Sequence, residues 1–127
     1  MLNWNIPYTP PKSAIGFVYK ITNVYTGEYY IGKRLIKKLK DGSWNTATKN
    51  YQGSGCFKQS NPDDLDKQIL DFADSKSELS LIEANYIMQN LFDTDCRNEM
   101  INLRIRVSPK MKQKLNPQKI ALGRLAK

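Results

Sequence analysis

The chain has 127 residues, a length that suits one domain with short flanking segments. With 40% hydrophobic and 25% charged residues it can build one buried core, and no apolar run nears the roughly 20 residues of a membrane span. The absence of histidine excludes Ser-His-Asp triads, Cys-His dyads and His-bound metals. Two cysteines, Cys56 and Cys96, are too few for a four-ligand zinc site or a disulfide framework. Catalysis is left to Tyr, Lys, Arg, Asp, Glu or a hard metal such as Mg2+ on oxygen ligands. Residues 1–12 show neither the charged start nor the apolar core of a secretory signal, so a soluble intracellular protein with reduced cysteines is expected.

The net charge of +8 is unevenly spread. Residues 1–61 carry +7, residues 62–99 carry −7, and residues 100–127 carry +8 with no acidic side chain. Basic ends suit a polyanion, and the acidic middle can supply a metal ligand that the polyanion also touches. Plain solvated faces are the alternative.

In chain order, Pro7, Pro10 and Pro11 keep residues 1–15 extended, with Trp4 and Tyr8 available to pack back on the core. The β-branched and aromatic run 16–23 (GFVYKITN) predicts a strand, Val24 to Gly27 a turn, and 28–33 a second strand, together an antiparallel hairpin. Leu35, Ile36 and Leu39 have helical spacing over 34–40 and predict a short helix ended by Asp41-Gly42. The polar, Gly-containing stretch 43–60 reads as a long functional loop, and 65–72 as a third strand. Ser75 with Glu78 forms a capping box at the head of a helix over 75–92, whose apolar stripe is Leu79, Ile82, Tyr86 and Ile87. A short closing strand is expected over 100–105. Ser108-Pro109 and Asn116-Pro117 mark two short basic helices in the tail.

Two features point to chemistry. A four-residue turn sets Tyr19 opposite Gly32 and Ile21 opposite Tyr30, so both tyrosines share one face of the hairpin. Gly32 then leaves an opening beside the Tyr19 ring, either room for a ligand or a bulge in an ordinary aromatic core. Glu83 lies within the apolar stripe of the long helix, where a carboxylate needs a metal, a basic partner, or a helix start of its own at Ser80.

These residues carry a resemblance. The run Gly16 to Asn23 followed by Tyr30-Ile31-Gly32-Lys33 resembles the paired motif of the GIY-YIG nuclease family. Tyr51-Gln52-Gly53-Ser54-Gly55 is similar to a loop of its phage and intron-encoded, homing-endonuclease-like branch. Glu83 and Asn102 match the family's helical Glu and the Asn of a following strand. The resemblance implies an α+β (α/β sandwich) fold, a three-stranded antiparallel sheet flanked by helices, over 16–105. The lead-in 1–15 precedes it and a basic tail, 106–127, follows. It implies Mg2+-dependent (or Mn2+-dependent) hydrolysis of phosphodiester bonds in double-stranded DNA, in a bacterial cytoplasm, with no membrane and no small-molecule cofactor. Tyr19 is then the hydroxyl that helps take the proton from the attacking water, Tyr30 orients water or phosphate, Glu83 is the sole protein ligand of the metal, and Asn102 supports the site. Lys33 and Arg34 are positioned to lower the pKa of the Tyr19 phenol. Lys37, Lys38, Lys40, Tyr51, Ser54, Lys110, Lys112 and Lys114 are the candidate DNA contacts, the tail tracking the backbone unless it is only a solubilising extension.

Two departures accompany the resemblance. The window where many members carry a catalytic Arg on a helix reads Leu35 to Lys40 with no Arg and no His, which leaves Arg34, then Lys33, as the substitutes. The stretch after Gly55 is short, with Pro62 where the family continues a helix. A weak or inactive DNA-binding or inhibitory module, and a basic RNA-binding protein, therefore remain open beside the enzyme.

Overall fold

The computed structural model describes residues 4–53 and 56–98. Strands β1 (Gly16–Asn23), β2 (Tyr29–Leu35) and β3 (Leu65–Ala73) form one antiparallel sheet in the order β2-β1-β3. A one-turn helix α1 (Thr46–Lys49) lies between β2 and β3, and helix α2 (Lys76–Asn90) follows β3. The expected α+β architecture is the observed one.

The hairpin register is the expected one, with Tyr19 opposite Gly32 and Ile21 opposite Tyr30. Its turn closes because Asn23 Oδ1 accepts from the Tyr25 and Thr26 amides at 2.9 and 3.2 Å, and Gly27 takes a φ of +77°. Between β1 and β3 the register shifts at Val18/Tyr19, leaving Leu70 as an extra residue. That bulge inverts the alternation of β3, so Ile69 and Phe72, three apart, face the same side.

Each sheet face has its own core. On one, Val18, Tyr29, Ile31 and Ala73 pack against Leu79, Ile82 and Ile87 of α2. On the other, Phe17, Tyr19, Ile21, Ile69 and Phe72 meet Trp4, Trp44 and Phe57, which come from the connecting segments. Ser75 caps α2 as expected, accepting from the Glu78 amide at 3.1 Å, and the Glu78 carboxylate accepts from the Asp74 amide at 3.4 Å. The predicted packing of Trp4 and Tyr8 is also observed: Trp4 donates to the Thr48 carbonyl at 3.1 Å, and Tyr8 donates to Asp71.

One expectation fails. Residues 34–40 are not a helix: β2 continues through Leu35, the Ile36 amide bonds Ile15 O at 2.8 Å, and Lys38 pairs with Trp44 across a tight turn. The helical stripe had no surface to bury against, since Leu35 and Leu39 are 39% and 53% exposed while Ile36 turns inward. The described part of 43–60 is the expected loop, interrupted only by the one-turn α1 and held to the core at several points. Trp44 stacks on Phe17 with centroids 5.4 Å apart, Asn45 caps α1, and Thr48 is fully buried. Pro62–Asp64 makes a single 3-10 turn into β3. The closing strand over 100–105 and the tail helices lie outside the described residues.

Candidate active site

Tyr19 is only 2% exposed, yet its hydroxyl reaches the hairpin's second strand. A Cβ on Gly32 would overlap the phenol oxygen and its ring carbon, so the opening foreseen beside the ring is filled by the phenol itself. This corrects the picture of a vacant notch: the missing side chain at Gly32 is the passage for Tyr19. Gly53, at φ +83°, approaches the same hydroxyl from the other side, where a Cβ would stand 3.4 Å away.

Tyr51 meets Tyr19 edge-on, centroids 5.8 Å apart, and the Arg34 guanidinium lies over the Tyr51 ring at 4.2 Å. Arg34 Nε is buried and has no hydrogen-bond partner among the described residues. Tyr30 is half-buried beside Glu83, Tyr51 and Cys56. Glu83 reaches this group from α2, near enough to raise the pKa of both Tyr19 and Tyr30. Lys33 faces Glu83 and donates to Ser80 Oγ at 2.6 Å, one helical turn before the carboxylate. Of the alternatives for Glu83, α2 begins at Lys76 and leaves it mid-helix, and no ion pair or hydrogen bond holds it among the described residues.

The electrostatics differ from expectation at one point. Burial, foremost, then Tyr51, Tyr30 and Glu83, push the Tyr19 phenol far above the ordinary tyrosine range. Lys33 and Arg34 do not offset this, because Lys33 is turned to Ser80 and Glu83 and Arg34 to Tyr51. Burial also raises the Tyr30 phenol and the Glu83 carboxyl, with Lys33 pulling the latter down.

A family model described as "Putative endonuclease segE, GIY-YIG domain" matches residues 4–100, about three-quarters of the chain. The chain belongs to the GIY-YIG endonuclease family. No curated protein and no solved structure matches it. Membership of this endonuclease family implies a nuclease function in general, with DNA as the substrate. No helix among its described residues is long and apolar enough to cross a membrane.

Within this GIY-YIG domain the sheet, α2 and the segment after α1 bring together Tyr19, Tyr30, Lys33, Arg34, Tyr51 and Glu83. Lys37 opens onto the same side beside Arg34, whereas Lys38 and Lys40 are exposed on the turn beyond it. Asn102, Ser54, Lys110, Lys112 and Lys114 lie outside the described residues. Both cysteines are free.

Two residues of the GIY-YIG domain escaped the sequence reading. Ser80 anchors Lys33, and its signal is its place on the same helix face as Glu83, three residues before it. Asn98 is buried, accepts from the Ile31 amide at 2.9 Å and donates to the Ile31 carbonyl at 2.8 Å, which closes the free edge of β2. Nothing local marked it, since its partner is 67 residues away.

The donor set suits a hard divalent ion. Among the described residues no cluster of three acidic or sulfur ligands exists, but Mg2+ is commonly held by one or two carboxylates with water and substrate phosphate filling the rest. Glu83 is half-buried, without an ion-pair partner, and faces two phenols.

Proposed function

We propose that this chain is a metal-dependent endonuclease that hydrolyses phosphodiester bonds of double-stranded DNA, with Glu83 as the sole protein ligand of Mg2+ or Mn2+. The observation that carries the reading is that Tyr19, Tyr30 and Glu83, from two strands and a helix, lie near enough for the carboxylate to act electrostatically on both phenols. The ion, when bound, supplies charge neutralisation for the phosphate and acidifies its water. The chain's own residues do the rest. Tyr19, neutral because burial raises its pKa, accepts a hydrogen bond from the attacking water and so orients it and helps draw off its proton, which passes to bulk solvent rather than coming to rest on a phenolate. Tyr30, wetter than Tyr19, orients water or phosphate at the mouth of the site. Arg34, which lines the open cleft beside Tyr51, neutralises the phosphate oxygens in place of the family's helical Arg. Asn102 supports this group, and the proposed setting is the cytoplasm of a bacterial host, for a protein of phage or mobile-element type.

The test is nicking of supercoiled plasmid in Mg2+ by the wild type, Glu83→Gln and Tyr19→Phe. Both variants are expected to lose about a hundredfold or more of the rate. Variants that cut like the wild type would end the reading. Retained DNA binding with no cutting by the wild type itself would favour the inactive-module alternative, which the absence of a helix over 34–40 supports.

A further inference from the structure

A cationic cleft of the described surface adjoins the phenol cluster. Lys33, Arg34 and Lys37 from β2 and its extension, Tyr51, and Lys76 and Ser80 from α2 line a cleft of about 530 Å³. Four cations share it, and no acidic side chain among the described residues lines it. Lys37 and Lys76 are exposed and form no ion pair with a described residue, and Arg34 keeps one buried N–H without a partner. Like charges gathered this closely repel one another, so a cleft with four cations and no counter-charge is stabilised when an anion enters.

The position of the cleft is fixed by α2. Lys76, Ser80 and Glu83 lie at i, i+4 and i+7, within one stripe of the helix. At 1.5 Å of rise per residue, Ser80 precedes Glu83 by about 4.5 Å and Lys76 precedes it by about 10.5 Å. A DNA strand advances about 3.4 Å per nucleotide along its axis, so along a strand running parallel to α2 these residues fall about one to three nucleotides from the carboxylate.

We infer that this cleft holds the backbone phosphates flanking the scissile one, with Lys37 and Lys76 as a clamp that sets how far along the strand the cut falls. The inference rests on the nuclease reading for its ligand but not for its measurement. Lys37 and Lys76 sit on separate elements, so a strand held by both is fixed relative to the phenols on the sheet and to Glu83 on the helix. Neither lysine touches the reacting atoms; both are positioning residues.

The experiment is fluorescence anisotropy of a labelled duplex in EDTA, where nothing is cut, across a range of salt. The probes are the wild type, the double variant Lys37→Ala/Lys76→Ala, the double variant Lys37→Arg/Lys76→Arg, and Lys58→Ala. Lys58 is an exposed lysine lining the groove on the other side of Tyr51. The alanine pair is expected to weaken binding about tenfold or more and to lower the salt slope by about 2. The arginine pair retains the slope, and Lys58→Ala stays within about twofold of the wild type. In Mg2+, the alanine pair raises KM with kcat nearly unchanged at saturating DNA, and the cut positions on an end-labelled duplex scatter. An unchanged slope in the alanine pair, or an equal loss from Lys58→Ala, overturns the clamp while leaving the nuclease untouched. Glu83→Gln cutting like the wild type overturns the nuclease reading and leaves the EDTA binding result standing.

Discussion

The phenol of Tyr19 crosses the hairpin at Gly32, in the space where any other residue would carry its Cβ. The pair is one structural unit: the glycine of one strand is the channel for the tyrosine of the next, and through it a nearly buried ring delivers its hydroxyl to the group around Glu83.

Gly32→Ala therefore forces the phenol out of its path. Overpacking of this kind costs about 1–3 kcal/mol, and the expected result is a lower midpoint in urea with an unchanged m-value. Plasmid nicking is expected to fall by more than stability explains if, as proposed, the displaced hydroxyl is the one that orients the water. The double variant Gly32→Ala/Tyr19→Phe should regain part of the stability and none of the activity.

Glu83 carries a pH signature. Burial raises its carboxyl above the ordinary glutamate range, and Lys33 opposes the rise. A metal ligand must be ionised, so the acid limb of the cleavage profile is expected above the pKa of a free glutamate. Lys33→Ala removes the opposing charge and moves that limb to still higher pH. The stability consequence has the opposite sign: a raised carboxyl favours the folded state when protonated, and that contribution is lost as pH rises through the folded value. At pH 7 Glu83→Gln is expected to melt above the wild type, with the difference vanishing near pH 4.

Lys67 is a second buried titratable group, away from the phenols. Burial lowers its ammonium to about 8, while its Nζ donates to the Lys49 carbonyl at 3.0 Å and sits 4.3 Å from the centre of the Trp4 ring. Between about pH 8 and the ordinary lysine value near 10.4 the unfolded chain binds a proton that the folded chain does not, so stability rises with pH across that window. The contribution is at most about 3 kcal/mol. Chemical denaturation from pH 7.5 to 10 should show this rise in the wild type and a flatter line in Lys67→Met.

Asn98 substitutes for a strand on the free edge of β2, exchanging two hydrogen bonds with Ile31 as a paired residue would. Asn98→Ala strands a buried amide and a buried carbonyl. The expected cost is about 1–3 kcal/mol. Hydrogen exchange at the Ile31 amide should accelerate well beyond the global change; Asn98→Asp, which restores the acceptor alone, should protect that amide partly.

What the sequence determined by itself was whatever depends on neighbours along the chain. The hairpin register followed from a four-residue turn and strict alternation, the start of α2 from Ser75 and Glu78, and the place of Glu83 on the apolar stripe from helical periodicity. Each of these is set by local geometry, and each was legible. The tertiary structure decided what depends on surfaces meeting. Leu35, Ile36 and Leu39 have helical spacing, yet a helix there had no apolar face to pack on, and strand extension satisfied Ile36 instead. The bulge at Leu70, the stacking of Trp44 on Phe17, and the Arg34–Tyr51–Tyr19 column join positions far apart in the chain, which no local period encodes. The protonation of Tyr19 was decided there too. Two cations, Lys33 and Arg34, follow its cross-strand partner Gly32, but desolvation and three neighbouring side chains act on it in the fold, and a buried phenol keeps its proton.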